Sequence, residues 1–339
     1  MDANPVKAVV VRPGETGGKT PGATGSRAVD AGMTEIQQAA ALIRSGQLVA
    51  FPTETVYGLG ANALDAAAVD RIYEAKGRPP TSPLIVHVDS VAMARQVVSR
   101  WPEEADRLAA RFWPGALTLV LPKNEAIPAR VTAGLPNVGV RVPAHPLALA
   151  LIRAAGVPIA APSANRFGEL SPTTAQHVRA GLGHRVSMIL DGGPTALGIE
   201  STVLSLAGPR PVLLRPGMVP AADLESVVGP LEAVPGTPHG AHQSPGQHAR
   251  HYSPRTPVKL VEAGRLPSHG RGAYLHITAC SPGPNGVPMP DEPLPYAACL
   301  YSRLHEVDAQ NWDWIAIERP PSTPAWAAIH DRLERAASL

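Results

Sequence analysis

Hydrophobic residues recur along this chain in two rhythms, and the alternation between them lays out its elements. From Thr34, the residues Ile36, Ala39, Ala40 and Ile43 fall at helical spacing. Thr34 and Gln37 form a capping-box pattern, and Gly46 is placed to end the helix. An apolar run at 48–51 predicts a strand that stops at Pro52. Asp65 caps a helix over 65–75 that carries Val69, Ile72 and Tyr73 on one face and ends at the prolines Pro79 and Pro80. Strand 83–88, a helix capped by Ser90, a helix over 102–111 and strand 117–121 follow. After them come strand 138–142, helix 146–155, strand 158–161 and a helix from Thr173 to about Gly181. Three strands, 187–190, 202–206 and 211–215, close the segment. Strands and helices do not alternate strictly, which predicts a mixed, twisted α/β sheet and argues against a doubly wound one.

The pattern then breaks. Residues 229–257 are rich in Pro, Gly and His with little periodicity and read as a linker. Beyond it, strands at 258–261, 273–277 and 313–317 and helices at 296–307 and 324–336 predict a smaller second α/β unit, interrupted by a Pro/Gly-rich insertion at 281–295. Residues 1–32 carry one brief apolar run at 8–11 and otherwise read as a flexible segment. The expected division is therefore 1–32, a first domain over 33–228, the linker 229–257 and a second domain over 258–339.

A length of 339 residues agrees with two domains. Aromatic residues make up only 4%, so the cores are aliphatic. The net charge of +2 gives no strong case for nucleic acid or a membrane surface, and the cationic excess lies in the first domain. With two cysteines, Cys280 and Cys299, no disulfide framework or CxxC metal knuckle can form. No apolar run approaches membrane-spanning length, and no secretory signal opens the chain, so a cytoplasmic location is expected.

The stretch most suited to a ligand is Phe51 to Ala63, FPTETVYGLGANA, where hydroxyls, a carboxylate and glycines follow directly on a buried strand. By itself it reads equally well as a polar turn with a capping Thr. Lys76 and Arg78 at a helix end, Arg141 at the end of an apolar strand and Arg215 before Pro216-Gly217 place four cations at element ends in one domain. An Arg fork suits a carboxylate, and the set together suits a polyphosphate. No Walker A, GxGxxG, GxSxG or HExxH pattern is present, so ATP would be held outside the usual phosphate-loop grammar. His239, His242, His248 and His251 lie in the linker and read as solvated rather than as metal ligands.

Taken together, these motifs resemble the L-threonylcarbamoyladenylate synthase family, the YrdC-like fold in its long two-domain form. The resemblance is carried, in order, by FPTETVYGLGANA (51–63), KGRP (76–79), SPLIVHV (82–88), WPGALTLVLP (113–122), VGVRVPAHP (138–146), PIAAPSAN (158–165), LSPTTA (170–175), DGG (191–193), GIESTV (198–203) and LLRPG (213–217). RHYSP (250–254) and the region around Glu318 add to it. It implies a YrdC-like sheet with flanking helices and a smaller, Rossmann-like C-terminal α/β domain. It implies a reaction of L-threonine, bicarbonate and ATP, with Mg2+, to threonylcarbamoyl-AMP and pyrophosphate.

The resemblance also assigns residues. Lys76 and Arg78 form the catalytic pair. Thr55, His87, Arg141, Ala161 and Ser201 contact threonine, with Thr53 a second hydroxyl. Arg78, Ser82, Asn137, Ser163, Ser171, Arg215 and the linker's Tyr252 surround ATP, with Asn165 and Thr202 adjoining; the metal ligands are unassigned. The product would pass transiently to a separate transferase complex that modifies adenosine 37 of tRNA, with weak or indirect tRNA binding and no membrane. The linker is expected to cover the site, so truncation at about residue 225 should impair synthesis. The Asp331-Arg332 pair departs from the glycine-rich sequence more familiar there. Two alternatives accompany this reading. One is a non-enzymatic RNA-binding module, marked by steep salt dependence of RNA affinity. The other is a carbamoyltransferase of related fold, whose usual zinc-finger-like parts two cysteines cannot supply.

Overall fold

The computed structural model describes residues 9–11, 34–233, 252–278 and 285–338. The first unit runs through β1 (Val9–Val11), α1 (Glu35–Arg44), β2 (Val49–Phe51), β3 (Gly58–Asn62), α2 (Ala66–Lys76), β4 (Ile85–His87), α3 (Val91–Val97) and α4 (Glu103–Phe112). It continues with β5 (Leu117–Pro122), β6 (Asn137–Arg141), α5 (Pro146–Ala155), β7 (Ile159–Ala160), α6 (Ala175–Leu182), β8 (Met188–Leu190), β9 (Thr202–Ser205), β10 (Val212–Arg215), α7 (Ala221–Val228) and β11 (Glu232–Ala233). These strands form one mixed sheet in the order β1-β8-β2-β3-β7-β4-β6-β5-β9-β10-β11.

Pleating sorts its side chains to two faces. Val49, Phe51 and Ile159 point with α1 and α5 into one core, while Leu48, Ala50 and Ala160 belong to the larger core that includes α2, α3, α4 and α6. Each fully buried Phe or Leu there contributes about 2 kcal/mol against exposure. The helix starts follow local chemistry. The Thr34–Gln37 capping box is closed in both directions, and Asp65 accepts from the amides of Ala67 and Ala68.

The second unit comprises β12 (Val258–Val261), β13 (Gly272–His276), β14 (Gly286–Pro288), α8 (Pro293–Asp308), β15 (Trp314–Glu318) and α9 (Ala327–Ala337). Its sheet is parallel throughout, in the order β12-β15-β13-β14. Its core is not its own alone: Val56, Leu170 and Ile199 of the first unit pack with Tyr296, Leu300 and Tyr301 of α8.

Four elements differ from the sequence expectation. β3 lies inside FPTETVYGLGANA, in mid-sheet, where the sequence reads as a ligand loop or a polar turn with a capping Thr. Gly60 is required because a Cβ there would lie 2.7 Å from the Phe51 ring and 2.9 Å from Ile159. α7 was not expected; it packs on α4, with Leu224 fully buried and Arg111 Nη1 donating to Ser226 Oγ at 2.8 Å. β11 extends the first sheet, so residues 229–233 belong to the first unit rather than to a linker. β14 sits in the Pro/Gly-rich insertion and pairs with β13. The linker expectation over 234–251, its four histidines among them, and the flexible segment other than 9–11 lie outside the described residues.

Candidate active site

Strand pairing brings the site together. β4 and β6 run parallel with His87 opposite Arg141, so both side chains leave the same end of the sheet. β5 and β9 are also parallel, which sets Ser201 and Thr202 beside the 115–117 segment, and β10 returns antiparallel to end on Arg215. Thr53 and Thr55 approach from the loop after β2, and Ala161 to Ser163 from the loop after β7. These segments, with Arg78, Glu200 and Tyr252, line one pocket.

Arg141 is the best-held group in it. Its Nε donates to the Gly115 carbonyl at 2.9 Å, its Nη1 to Thr55 Oγ1 at 3.0 Å, and its Nη2 lies 2.7 Å from Glu54 Oε1. Both partners of that ion pair are buried, with side chains 4% and 12% exposed. Thr53 Oγ1 is spent locally: it donates to the Val56 carbonyl at 2.6 Å and accepts from the amides of Thr55 and Val56. Thr55 Oγ1 therefore donates to Thr53 Oγ1, 2.8 Å away. His87 is buried, its Nδ1 has no hydrogen-bond partner, and burial followed by the Arg141 charge pulls its pKa down to about 3. The imidazole is neutral at physiological pH.

Two further guanidiniums face the same pocket. Arg78 donates to the Pro83 carbonyl at 3.0 Å while its buried Nε makes no hydrogen bond. Burial lowers its pKa to about 10, leaving it charged at neutral pH. Arg215 donates to Ser201 through Nε at 3.1 Å to the carbonyl and Nη2 at 3.2 Å to Oγ, and through Nη1 to Tyr252 Oη at 3.4 Å. Ser201 Oγ also meets Thr118 Oγ1 at 2.8 Å. Tyr252, 1% exposed, takes a left-handed φ of 59° that turns its ring inward.

Of the residues singled out in the sequence, Thr53, Thr55, Arg78, His87, Arg141, Ala161, Ser163, Ser201, Arg215 and Tyr252 share the pocket wall. Lys76 does not present its ammonium there. Nζ donates to the carbonyls of Ser163 and Asn165, each at 2.5 Å, and burial, followed by Arg78, holds its pKa well below the ordinary value. It therefore braces the 163–165 loop from behind, as Asn165 does by donating to the carbonyls of Arg166 and Glu169. Thr202 Oγ1 donates to the Val219 carbonyl. Ser82 and Ser171 are buried outside the wall. The Ser82 carbonyl accepts from Tyr73, and Ser171 Oγ donates to Glu200 at 2.5 Å. Asn137 opens β6 at the end opposite Arg141, about 13 Å along the strand.

Three participants were not singled out. Glu54 and Glu200 stood inside quoted motifs without a role, and Arg332 was noted only as a departure. Glu54 balances Arg141, and Glu200 receives Arg332 Nε at 2.8 Å across the domain boundary. The pocket thus combines a carboxylate-binding fork at Arg141, beside the Thr55 hydroxyl, with a cationic, hydroxyl-lined half at Arg78, Ser163, Ser201 and Arg215. An amino acid and a polyphosphate are the ligands such a pairing fits.

Comparison with known proteins gives this class its family. Residues 41–217 match the Sua5/YciO/YrdC family, described as "Telomere recombination", and residues 219–338 match the family "Threonylcarbamoyl-AMP synthase, C-terminal domain". The threonylcarbamoyl-AMP synthase of Bacillus subtilis is 45% identical over 321 residues, spanning 89% of this chain and 93% of that protein. That of Pyrococcus abyssi is 52% identical over 234 residues, 68% of this chain and 69% of that protein. Among solved structures, P. abyssi Sua5 complexed with L-threonine superposes with a TM-score of 0.84 at 41% identity, covering 89% of this chain and 94% of that one. The chain belongs to the threonylcarbamoyl-AMP synthase family, in its two-domain form.

Proposed function

We propose that this protein condenses L-threonine, bicarbonate and ATP into threonylcarbamoyl-AMP, releasing pyrophosphate, for modification of tRNA. The observation that carries the reading is the Arg141–Thr55 corner opening into the same pocket as Arg78 and Arg215. Arg141 and Thr55 receive the amino acid. The neutral His87 imidazole leaves the amine free to be unprotonated, as it must be to attack CO2 or bicarbonate carbon. The new N–C bond gives a carbamate, with loss of a proton when CO2 is the source or of water when bicarbonate is the source. A carbamate oxygen then attacks the α-phosphorus of ATP, and the bond to pyrophosphate breaks. Arg78 and Arg215 neutralise charge gathering on the phosphates, and Ser163, Ser201 and Tyr252 fix their orientation. Lys76 acts at one remove, by setting the Ser163 loop. Ser82, Ser171 and Asn137 belong to this reading as flanking groups.

For Mg2+ the described residues offer no cage. Among the described residues no cluster of three His, Cys, Asp or Glu has metal-binding geometry, and the one carboxylate on the wall, Glu200, already accepts from Ser171, Tyr301 and Arg332. Those residues do not fit a protein-held ion. Among the described residues no helix is long and apolar enough to cross a membrane.

The test is threonine- and bicarbonate-dependent release of pyrophosphate from ATP by the folded full-length protein. Release no greater without threonine's omission than with it overturns the reading. Transfer of the product to a separate tRNA-modifying complex is part of the same proposal, checked by transfer from this protein's product to tRNA when that complex is added.

A further inference from the structure

A carboxylate in the wall of a polyphosphate pocket is a liability, because it repels the ligand the neighbouring guanidiniums attract. Glu200 is such a group: it lines the pocket and is only 7% exposed. Its charge is met from the other domain. Arg332 of α9 has a side chain with 0% exposure, and its Nε donates to Glu200 Oε2 at 2.8 Å. Its Nη2 donates to the carbonyls of Glu200 at 3.3 Å and Pro216 at 3.2 Å, bridging the segment before β9 to the segment after β10. Ser201 lies in the first of these, and Arg215 ends β10 immediately before the second. The guanidinium carbon also lies 5.3 Å from the centre of the Tyr252 ring, forming the outer layer behind a third pocket residue. Tyr301 of α8 adds a donor to Glu200 Oε2 at 3.2 Å. Asp331 pairs with Arg332 Nη1 and with Arg335, so it is itself balanced by a second cation.

We propose that Arg332 makes the pocket competent for nucleotide: reaching in from the C-terminal domain, it cancels the Glu200 charge and fixes the Ser201 and Arg215 segments in register. It is a positioning residue, touching no substrate. The proposal rests on the ATP-binding reading above. It predicts a loss confined to the nucleotide half, since the threonine corner at Arg141 and Thr55 has its own carboxylate balance through Glu54. It also predicts that the harm of losing Arg332 lies in the anion left behind.

The experiment compares the full-length protein with Arg332→Met, Glu200→Gln and the double variant, measuring MgATP binding and L-threonine binding separately by calorimetry and pyrophosphate release in parallel. Arg332→Met is expected to weaken MgATP by at least about tenfold, close to 1.4 kcal/mol, with threonine affinity changed less than about twofold. Adding Glu200→Gln is expected to restore most of the MgATP affinity. A purely architectural Arg332 would give no such rescue, because the double variant lacks the same domain-crossing bonds. Equal losses for both ligands, an unchanged MgATP affinity, or a double variant no better than the single one overturns the proposal. If Arg332→Met does not fold, Tyr301→Phe, which deletes one hydroxyl from Glu200, must show the same MgATP-selective weakening on a smaller scale, and failure to do so overturns it equally. Wild-type protein that binds MgATP but releases no threonine-dependent pyrophosphate refutes the synthase reading while leaving Arg332 tested by binding. Wild-type protein that does not bind MgATP refutes both.

Discussion

Replacing Arg141 with alanine should harm this protein in two separable ways. The guanidinium makes hydrogen bonds of 2.9 Å to Gly115 and 3.0 Å to Thr55 and a 2.7 Å ion pair with Glu54. Alanine leaves Glu54 a buried carboxylate without its cation, and breaking a buried pair from one side costs about 3–5 kcal/mol. In a domain of this size each kcal/mol lowers Tm by roughly 2–4 °C, so the variant should melt roughly 6–20 °C below wild type. Adding Glu54→Gln removes the stranded charge. The double variant should recover at least about 2 kcal/mol, seen as non-additivity in a double-mutant cycle of denaturant midpoints. The ligand effect behaves differently: both variants lack the fork for a carboxylate, so both should need more threonine while their ATP requirement changes far less. Additive single and double effects would show that the pair carries no coupled charge. A larger rise in the ATP requirement than in the threonine requirement would show that Arg141 serves the nucleotide instead.

His87 makes stability depend on pH. Its folded pKa of about 3 lies below the ordinary 6.5, so the unfolded chain binds a proton that the native site refuses. Stability is full above pH 6.5 and falls as the pH drops toward 3, by about 2 kcal/mol at pH 5. Urea unfolding of wild type and His87→Gln at pH 7 and pH 5 should differ by that amount, and identical pH responses would refute it. Gly198→Ala should loosen the domain junction. Gly198 has φ +73°, and a Cβ there would lie 2.3 Å from the Ala297 carbonyl of α8. A loss of about 2–4 kcal/mol is expected, with calorimetry resolving two transitions in place of one. Truncation at residue 225 would cut α7, so the informative end point is after Ala233; that fragment should fold yet release little pyrophosphate, and full activity would refute any contribution of the C-terminal domain.

Much of this was legible because local chemistry announces itself. Pro146 and Gly156 bracket α5 so firmly that its limits match the periodic pattern residue for residue, and Thr34 with Gln37 fixes the start of α1. β3 was illegible because glycine demanded by a close approach to Phe51 looks the same in sequence as glycine demanded by a turn. In the site, the cations at strand ends were readable as a set, yet Lys76 was placed on phosphate when its ammonium is absorbed by two carbonyls of a loop that begins 87 residues away. The contact between Glu200 and Arg332 spans 132 residues and joins two domains, and no periodicity or motif spacing encodes such a meeting.

The run of hydrogen bonds from Arg141 through Thr55 and Thr53 to the Val56 carbonyl has a fixed polarity. Guanidinium can only give protons and a carbonyl can only take them, so the Thr55 proton is committed inward. What Thr55 has left to show a ligand is a lone pair, and the group that meets it must arrive as a donor. A hydroxylated side chain supplies one, whereas an isosteric methyl leaves that lone pair without a donor. Sites that hold a substrate hydroxyl this way reject the deoxy analogue far more strongly than an apolar pocket can reject one extra methylene. The orientation of a single proton thereby sets up discrimination between threonine and valine.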